Sequence, residues 1–436
     1  MLRYKEQIYE FFVIFASNSL IKMDKRVVVT GMGVVSCIGN DIETFWNSIR
    51  DGVCGIDRIT EFPTEDLSVK IGGKVRNFDP LAYGVEKSLV RKQDPFSIYA
   101  LAAAWQAMGE SGLVSGENID PYRLSVYVGS GIGGFQTIFR ECSKMVEDPS
   151  GQWVAPSFVP TMIGNIAGAH IAIKYNARGS CMDIVTACAS SAHCLGEAYR
   201  AIRHGYADAV IAGGAEASTI PMGIASFANC KALTRAEDPQ YASLPFSSDR
   251  GGFVLSDGAA VVVLEEYEHA VARGATILAE LVGYGTSCDA FHPTAPRPEG
   301  DTQAECIRQA LEEADFDPSK DVVYINAHGT GTKLNDVSET KAYKLAFGDY
   351  AYKCHISSTK AVHGHMLGAT GAAEAIAAIL ALEHGVVPPT AHLYNIDPEC
   401  DLDYTPVKAV PADITLSMSD SFGFGGHNAC VAFRKV

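Results

Sequence analysis

Short apolar runs that end in glycine-rich turns recur along this 436-residue chain, and helix-like segments follow them. The runs at 27–29, 124–128 and 209–212 each meet such a turn. Alternation of buried strands with helices is typical of an α/β protein, in which glycine permits the tight turn between them. The sequence therefore predicts an α/β fold with a large core.

The same pattern starts again near residue 277, after a joint at residues 273 and 274. We therefore predict a duplicated α/β unit, with one half at 23–273 and a second half at 274–436. Residues 1–22 are predicted to be an extension outside the core, with the natural start at Met23. A signal peptide or an interfacial helix is the alternative for its apolar stretch at 8–16.

Charge and cysteine content exclude several classes of protein. The formal net charge of -16 argues against non-specific nucleic-acid binding. The 12 cysteines are scattered without a CxxC pair, which favours free thiols in a reducing compartment and hence a cytoplasmic protein. No Cys/His spacing fits zinc, and no apolar run reaches 18 residues. We thus expect neither a metal site nor a membrane span.

The stretch Val185-Thr186-Ala187-Cys188-Ala189-Ser190-Ser191-Ala192-His193 predicts a strand, a sharp turn and a helix that begins at or near Cys188. Small residues around the sulfur leave room for another molecule. A thiol at a helix N-terminus faces free N–H groups and a positive partial charge, and both favour the nucleophilic thiolate. The alternative is a buried structural cysteine.

Two histidines follow predicted strands in the second half of the chain. His328 precedes Gly-Thr-Gly-Thr, and His365 stands between Gly364 and a small-residue helix, five residues after Lys360. Open α/β sheets gather ligands at strand C-termini, so these side chains and Cys188 are expected to meet. A cysteine with two histidines suits a thioester-forming nucleophile and two groups that stabilise negative charge. Taken singly, each histidine is more often structural.

Two glycine loops need separate interpretations. The loop at 129–134 lacks the GxGxxG spacing and a following acidic residue, so a dinucleotide site is not predicted. The turn Ser421-Phe422-Gly423-Phe424-Gly425-Gly426-His427-Asn428 could present N–H groups as an oxyanion hole. A simple β-hairpin turn is the alternative.

Four segments together resemble the β-ketoacyl-[acyl-carrier-protein] synthases of the thiolase superfamily, in their elongating, type II class. These segments are VTACASSAH, NAHGTGT, SSTKAVHGHMLGATGAAE and SFGFGGHN. The resemblance covers Met23 to the C-terminus. It implies a five-layered αβαβα fold of two related halves and a homodimer. It also implies a decarboxylative condensation that lengthens an acyl chain by two carbons.

The resemblance assigns roles to residues of this chain. Cys188 would accept the acyl chain, and His328 and His365 would stabilise the enolate left when malonyl-carrier protein loses CO₂. Lys360 and Glu374 match residues that support the histidines.

Further matches concern the substrate path. The N–H groups of Cys188 and Phe424 would form the oxyanion hole, and Phe424 would also act as a gate. Thr330 and Thr332 would hold the pantetheine arm, and Ile132 would line the acyl pocket, although a core-packing isoleucine is an equal explanation.

The same resemblance implies the partner. Arg91, Lys92 and Lys231 match positions that contact acyl carrier protein, with solvated surface charges as the alternative. The phosphopantetheine arm arrives on the carrier, so no resident cofactor is expected.

Three positions depart from the usual pattern. His363 replaces a small hydroxyl residue, and could either add an ionisable group to the site or point away from it. His427 replaces a threonine, and Ser256 replaces a glycine.

Other members of the superfamily are also considered. A non-catalytic subunit that sets chain length would lack Cys188, and a thiolase would need a second catalytic cysteine, for which Cys430 is poorly placed. The initiating class carries Cys-His-Asn, whereas position 365 here is histidine. A polyketide-type condensing enzyme remains open.

Overall fold

The computed structural model describes residues 24–436. Its strands, in chain order, are β1 (Val27–Val35), β2 (Asp57–Arg58), β3 (Ile71–Gly72), β4 (Leu124–Gly129), β5 (Cys181–Met182), β6 (Ala209–Glu216), β7 (Gly258–Glu266), β8 (Ala279–Cys288), β9 (Val323–Asn326), β10 (His355–Ser357), β11 (Val386–Val387), β12 (Val410–Pro411), β13 (Leu416–Gly423) and β14 (His427–Arg434).

Helices connect most of these strands. The α-helices are α1 (Ile42–Asp51), α2 (Lys87–Val90), α3 (Pro95–Ser111), α4 (Phe135–Glu147), α5 (Phe158–Met162), α6 (Ile166–Tyr175), α7 (Ser190–Arg203), α8 (Pro221–Asn229), α9 (Tyr267–Ala272), α10 (Asp301–Glu313), α11 (Lys333–Phe347), α12 (Lys360–His363) and α13 (Thr370–His384). Short 3-10 helices lie at Pro80–Tyr83, Pro121–Arg123, Ala187–Ala189, Pro239–Tyr241, Gly348–Lys353 and Leu367–Ala369.

One ten-stranded sheet runs in the order β10-β9-β13-β14-β8-β1-β7-β6-β4-β5. The strands β1 and β8 join its two parts through three antiparallel residue pairs. Outward from β1, the first part continues with β7, β6, β4 and β5, and outward from β8, the second part continues with β14, β13, β9 and β10. If the five sheet strands of each half are numbered along the chain, both parts have the order 1-5-4-2-3. The two halves therefore share one topology, as predicted. The predicted boundary at residues 273 and 274 stays a prediction.

Helices form layers on and between the two parts of the sheet. The helices α3 and α6 cover the first part, while α10 and α11 cover the second. Between the parts lie α7 and α13, which contact strands of both halves and each other. Helix α13 is buried from Thr370 to Leu382 and rich in alanine, and a helix that is apolar on all sides is expected in a core. The α/β prediction with five layers is confirmed.

Two matching turns precede the central helices. The 3-10 turns Ala187–Ala189 and Leu367–Ala369 lead directly into α7 and α13. Each begins with a non-glycine residue of positive φ, 52° at Ala187 and 44° at Leu367. Such a backbone is strained and persists only where the surrounding structure holds it. The two strained turns contact each other and so lie where the two halves of the fold meet.

Local predictions met different outcomes. By residue type, Asp41 or Asn40 is expected to cap the first helix, and Pro95 to start a later one. In the structure Asp41 caps α1 by accepting a hydrogen bond of 2.8 Å from the Thr44 N–H, and Pro95 starts α3. The sequence of 161–175 predicts one helix, which the structure divides into α5 and α6 because Ile163 has an extended backbone. The strand predicted directly before Cys188 is wrong. Strand β5 ends at Met182, and residues 183–186 form an irregular approach to the turn.

Among residues 24–436, none of the helices has the length and apolarity needed to cross a membrane. The predicted extension at 1–22 and the predicted start at Met23 lie outside the described residues.

Candidate active site

A cavity of about 380 Å³ lies where the matching turns of the two halves approach each other. Its wall includes seven of the predicted site residues. They are Cys188, Lys231, His328, Thr330, Thr332, His365 and Phe424. The structure thus brings together side chains that are far apart in sequence, as the positions of the strand ends predicted.

Cys188 lies in the 3-10 turn, two residues before helix α7 begins at Ser190. The turn is held by Ser190, whose hydroxyl accepts the Thr186 N–H at 2.9 Å and donates to the Ala187 carbonyl at 2.8 Å. The thiol is 7% exposed and faces the cavity. A reactive cysteine needs both features, a fixed position and access.

Burial raises the pKa of the Cys188 thiol to about 12. The positive charge of Lys360 and the N–H groups of Phe424 and Cys188 act in the opposite direction. We expected the helix N-terminus to lower the pKa of this thiol. That expectation is wrong, because loss of hydration outweighs the favourable dipoles and the net shift of the pKa is upward.

The two histidines lie side by side beyond the sulfur. His328 follows β9, and His365 follows α12, with their ring centroids 5.4 Å apart and their planes at 82°. The ring of Phe253 stands against His365 at 5.0 Å, and that of Phe422 against His328 at 5.8 Å. These aromatic walls fix both imidazoles and keep water away.

Hydrogen bonds define how the imidazoles can act. The Nδ1 of His365 contacts the Thr370 hydroxyl at 2.9 Å, which leaves its buried Nε2 unpartnered among the described residues. Burial, reinforced by the charge of Lys360, lowers the pKa of His365 and of His328 well below the ordinary value. Both rings are neutral near pH 7, so they can donate N–H groups without being strong acids.

Lys360 and Glu374 form a buried ion pair behind the histidines. The Lys360 Nζ lies 2.6 and 2.7 Å from the two carboxylate oxygens of Glu374, and neither residue is more than 1% exposed. Burial raises the pKa of Glu374, while the ammonium group opposes that shift. The pair places a fixed positive charge close to Cys188, His328 and His365.

Phe424 lies in the loop between β13 and β14. Its backbone N–H lowers the pKa of the Cys188 thiol, so the predicted second donor acts on the sulfur. Close packing explains the glycine at 423, where a Cβ would lie 2.7 Å from the Thr186 carbonyl oxygen. Gly425 and Gly426 have φ of 87° and 76°, in the left-handed region that favours glycine.

The remaining predicted residues lie at different depths. Thr330 and Thr332 share a hydroxyl contact of 3.0 Å in the cavity wall. Ile132 packs against the apolar cluster that contains Cys188, away from the open part of the cavity. Arg91 and Lys92 are exposed just beyond α2 and do not line this cavity.

Two of the unusual residues support the backbone. His363 is fully buried and points away from the cavity, with its nitrogens at 2.8 Å from the Gly364 carbonyl and 3.0 Å from the Thr359 hydroxyl. Burial lowers the pKa of His363 to about 3. Ser256 donates its hydroxyl to the Gly73 carbonyl, and its N–H bonds to the His365 carbonyl at 2.9 Å. His363 therefore points away from the site and does not add an ionisable group to it.

Sequence reasoning missed two buried carboxylates. Glu339 accepts the N–H groups of His328 and Gly329 at 2.7 and 2.8 Å and so fixes the histidine turn. Glu216 accepts the N–H groups of Gly131 and Gly368 at 2.8 and 3.2 Å, which ties the glycine loop to the second turn. For Glu216, an acidic residue at the end of the apolar strand β6 was the available signal, whereas Glu339 lies in a polar stretch of α11 that gives none.

In residues 24–436, no group of three or more His, Cys, Asp or Glu side chains is arranged to hold a metal ion. A duplicated five-layered fold in which a buried cysteine and two histidines line one cavity is that of a condensing enzyme of the thiolase-fold class.

Comparison with known families supports this class. The model of the β-ketoacyl synthase N-terminal domain matches residues 24–270, and that of the C-terminal domain matches residues 278–394. The chain belongs to the β-ketoacyl synthase family and is an acyltransferase.

Named relatives match over nearly their whole length. The chain is 45% identical to a 3-oxoacyl-[acyl-carrier-protein] synthase 2 of Staphylococcus aureus (strain COL), over 95% of this chain and 99% of the relative. It is 42% identical to the protein of the same name from Synechocystis sp., over 94% and 98% of the two chains.

Solved structures agree with the fold. A β-ketoacyl synthase from Burkholderia phymatum STM815 superposes with a TM-score of 0.86 at 34% identity, covering 94% of this chain and all of that one. A type II PKS ketosynthase in complex with its acyl-carrier protein gives a TM-score of 0.87 at 33% identity and covers 95% of this chain and 100% of that chain.

Proposed function

We propose that this β-ketoacyl synthase elongates fatty acyl chains by two carbons. In the first step, the Cys188 sulfur attacks the thioester of an acyl-carrier protein. The acyl group passes to the sulfur, and the thiol proton ends on the departing carrier thiol. In the second step, a malonyl group on another carrier loses CO₂, and the resulting enolate carbon attacks the acyl-Cys188 thioester. The product is a 3-oxoacyl-carrier, and Cys188 is restored.

The acylation step depends on the turn that holds Cys188. As the sulfur attacks, negative charge develops on the thioester oxygen, and the N–H groups of Cys188 and Phe424, which already act on the thiol, would donate to that oxygen. The nearby Lys360 ammonium opposes the rise in the thiol pKa that burial causes. These fixed dipoles compensate for a site that water does not solvate.

The decarboxylation step depends on the paired histidines. Loss of CO₂ leaves an enolate, which needs hydrogen-bond donors but must not be protonated on carbon before it attacks. Neutral His328 and His365 meet both needs, since burial lowers the pKa of each ring. In this proposal, Lys360 and Glu374 position the histidines and do not touch the substrate.

The observation that carries the proposal is the convergence of Cys188, His328, His365 and the Phe424 backbone on one cavity. The test supplies the protein with an acyl-carrier and a malonyl-carrier and measures CO₂ and 3-oxoacyl-carrier. Equal amounts of both products are expected. Release of CO₂ without a condensed product, or neither product, would contradict the proposal.

A polyketide-type condensing enzyme is the second candidate, because a type II PKS ketosynthase shares this fold at 33% identity. The 45% identity to a 3-oxoacyl-[acyl-carrier-protein] synthase 2 favours fatty-acid elongation. The acyl chains that the protein accepts separate the two: saturated chains of increasing length support the first, whereas exclusive use of poly-β-keto chains supports the second.

Acyl carrier protein is the proposed partner, and the pantetheine arm that it carries replaces any resident cofactor. Thr330 and Thr332 would contact this arm within the cavity. Exposed Lys231 lies at the cavity wall, and we assign it, with Arg91 and Lys92, to the docking of the acidic carrier. Phe424 would act as the gate between the two steps, and Ile132 would line the acyl pocket.

A homodimer is proposed from the free edge of the sheet. Within residues 24–436, strand β5 pairs only with β4, so its other side can accept a second strand. Large apolar side chains are exposed on or near this edge: Val159, Ile173, Met182 and Val185. A second copy of this chain would cover them.

Free thiols at every cysteine are compatible with the cytoplasmic location that we propose.

A further inference from the structure

The loop that carries Phe424 presses directly on the nucleophile turn. A Cβ at Gly423 would lie 2.7 Å from the Thr186 carbonyl oxygen and 3.1 Å from the Cys188 nitrogen. The Phe424 N–H acts on the Cys188 thiol, and both residues line the same cavity. Small movements of this loop therefore change the alignment between the sulfur and one of its two N–H donors.

The far end of the loop rests on His427, the first residue of β14. A Cβ at Gly425 would lie 2.9 Å from both Cδ2 and Nε2 of the His427 ring, so the ring occupies the space beside this glycine. Gly425 and Gly426 leave the loop backbone few side-chain contacts of its own. The imidazole thus limits how far the loop can move toward the strands.

The other side of the His427 ring faces His193. The two rings meet edge to face, with centroids 6.5 Å apart and planes at 89°. His193 Nδ1 contacts the Thr186 hydroxyl at 2.9 Å and the Ala189 carbonyl at 3.2 Å, and its Nε2 contacts the Thr286 hydroxyl at 3.0 Å. Because Thr186 and Ala189 flank Cys188, His193 belongs to the support of the nucleophile turn.

We propose that His427 is a positioning residue that holds the Phe424 loop and the Cys188 turn in one fixed relation, by packing between Gly425 and His193. The inference rests on the proposed acyl transfer to Cys188. Its effect falls on bond formation at the acyl carbon and not on loss of CO₂, since the transferred acyl group needs the sulfur and the Phe424 N–H together. Loss of CO₂ depends on His328 and His365, and neither of these rings contacts His427.

The test uses the full-length protein and measures the two half-reactions separately. Acylation of Cys188 by an acyl-carrier is followed by mass spectrometry within a single turnover, and CO₂ release is measured with a malonyl-carrier alone. His427→Ala and His427→Thr are expected to slow acylation on the order of tenfold, within the loss that a misplaced reacting group can cause. Release of CO₂ is expected to stay unchanged.

Two further variants separate positioning from general packing. His427→Phe keeps a ring between Gly425 and His193 and is expected to restore acylation. His384→Ala is the matched control, because His384 also stacks on an aromatic ring, that of Trp46, but lies outside the cavity. It is expected to leave both half-reactions unchanged.

Three results would overturn the inference. The first is an unchanged acylation rate in both His427→Ala and His427→Thr. The others are an acylation rate in His427→Phe as low as in these two variants, or a rate of CO₂ release that falls as much as the acylation rate. If His427→Ala does not fold, as judged by its thermal unfolding, His427→Thr decides the question. Failure of the unaltered protein to acquire an acyl group on Cys188 would instead refute the proposed function, so the two failures are distinguishable.

Discussion

The rings of His328 and His365 meet edge to face at 5.4 Å, although the two residues follow different strands. Neither ring has a carboxylate partner among the hydrogen bonds of the described residues. Burial and the Lys360 charge lower the pKa of both. This arrangement supplies two neutral donors side by side, which is what an enolate oxygen needs.

Replacing either histidine with alanine is expected to slow CO₂ release more than acylation of Cys188. Loss of one hydrogen-bond donor at a developing oxyanion costs about 100- to 1,000-fold in rate. The comparison is made between CO₂ release from malonyl-carrier and the mass gain of Cys188. Equal losses in the two steps would contradict the assigned role.

The Glu374→Gln substitution is expected to destabilise the fold. Removing one partner of a buried ion pair leaves the Lys360 charge uncompensated, at a cost of about 3–5 kcal/mol. Urea unfolding measures the difference. Glu305→Gln is the control, since Glu305 pairs with Arg308 on an exposed helix face, where an ion pair contributes about 1 kcal/mol or less. If the two substitutions lowered the free energy of unfolding equally, the buried ion pair would contribute no more to stability than the exposed one.

His363 is expected to make the fold sensitive to acid. Its pKa is about 3 in the folded protein, against about 6.5 in an unfolded chain. Below pH 6.5 the unfolded state binds the extra proton, so His363 reduces the free energy of unfolding by about 1.4 kcal/mol for each pH unit down to about pH 3.

The variant His363→Thr removes this dependence. Its free energy of unfolding should fall less steeply between pH 6.5 and pH 4 than that of the unaltered protein, by about one bound proton. The exposed His384, replaced in the same way, serves as the control. Identical slopes for His363→Thr and the unaltered protein would show that His363 is not buried in neutral form.

The free edge at β5 gives a prediction about assembly. Met182→Lys places a charge on an edge strand that a second copy would cover, and a buried unpaired charge opposes association. The variant is expected to shift the mass in light-scattering chromatography from dimer to monomer. Tyr206→Lys, at another exposed site, should leave the mass unchanged. A dimeric Met182→Lys protein would exclude this edge as the interface.

Periodicity predicted much of the fold because strands and helices bury regular patterns of apolar residues. The restart of the pattern near 277 indicated the second half of the sheet, whose first strand is β8. The division between α5 and α6 was missed, although Gly164 and Asn165, which directly follow the extended Ile163, are residues that commonly interrupt helices.

The site was predictable where the chemistry is carried by residue type in a recognisable segment, as for Cys188, His328 and His365. The pKa of Cys188 was not, because desolvation depends on the whole cavity wall and outweighs the local helix dipole. Glu339 was missed for a similar reason: its bonds to the His328 turn span a helix and a loop, and sequence spacing does not reveal which way a buried carboxylate points.

The central claim is that Cys188 carries the acyl chain. Incubation of the protein with acyl-carrier proteins of several chain lengths, followed by peptide mass spectrometry, tests it most directly. We predict one acyl group on the peptide containing Cys188, no acyl group in a folded Cys188→Ala variant, and restored free thiol after malonyl-carrier is added. An acyl group on any other residue, or continued elongation by Cys188→Ala, would contradict the account.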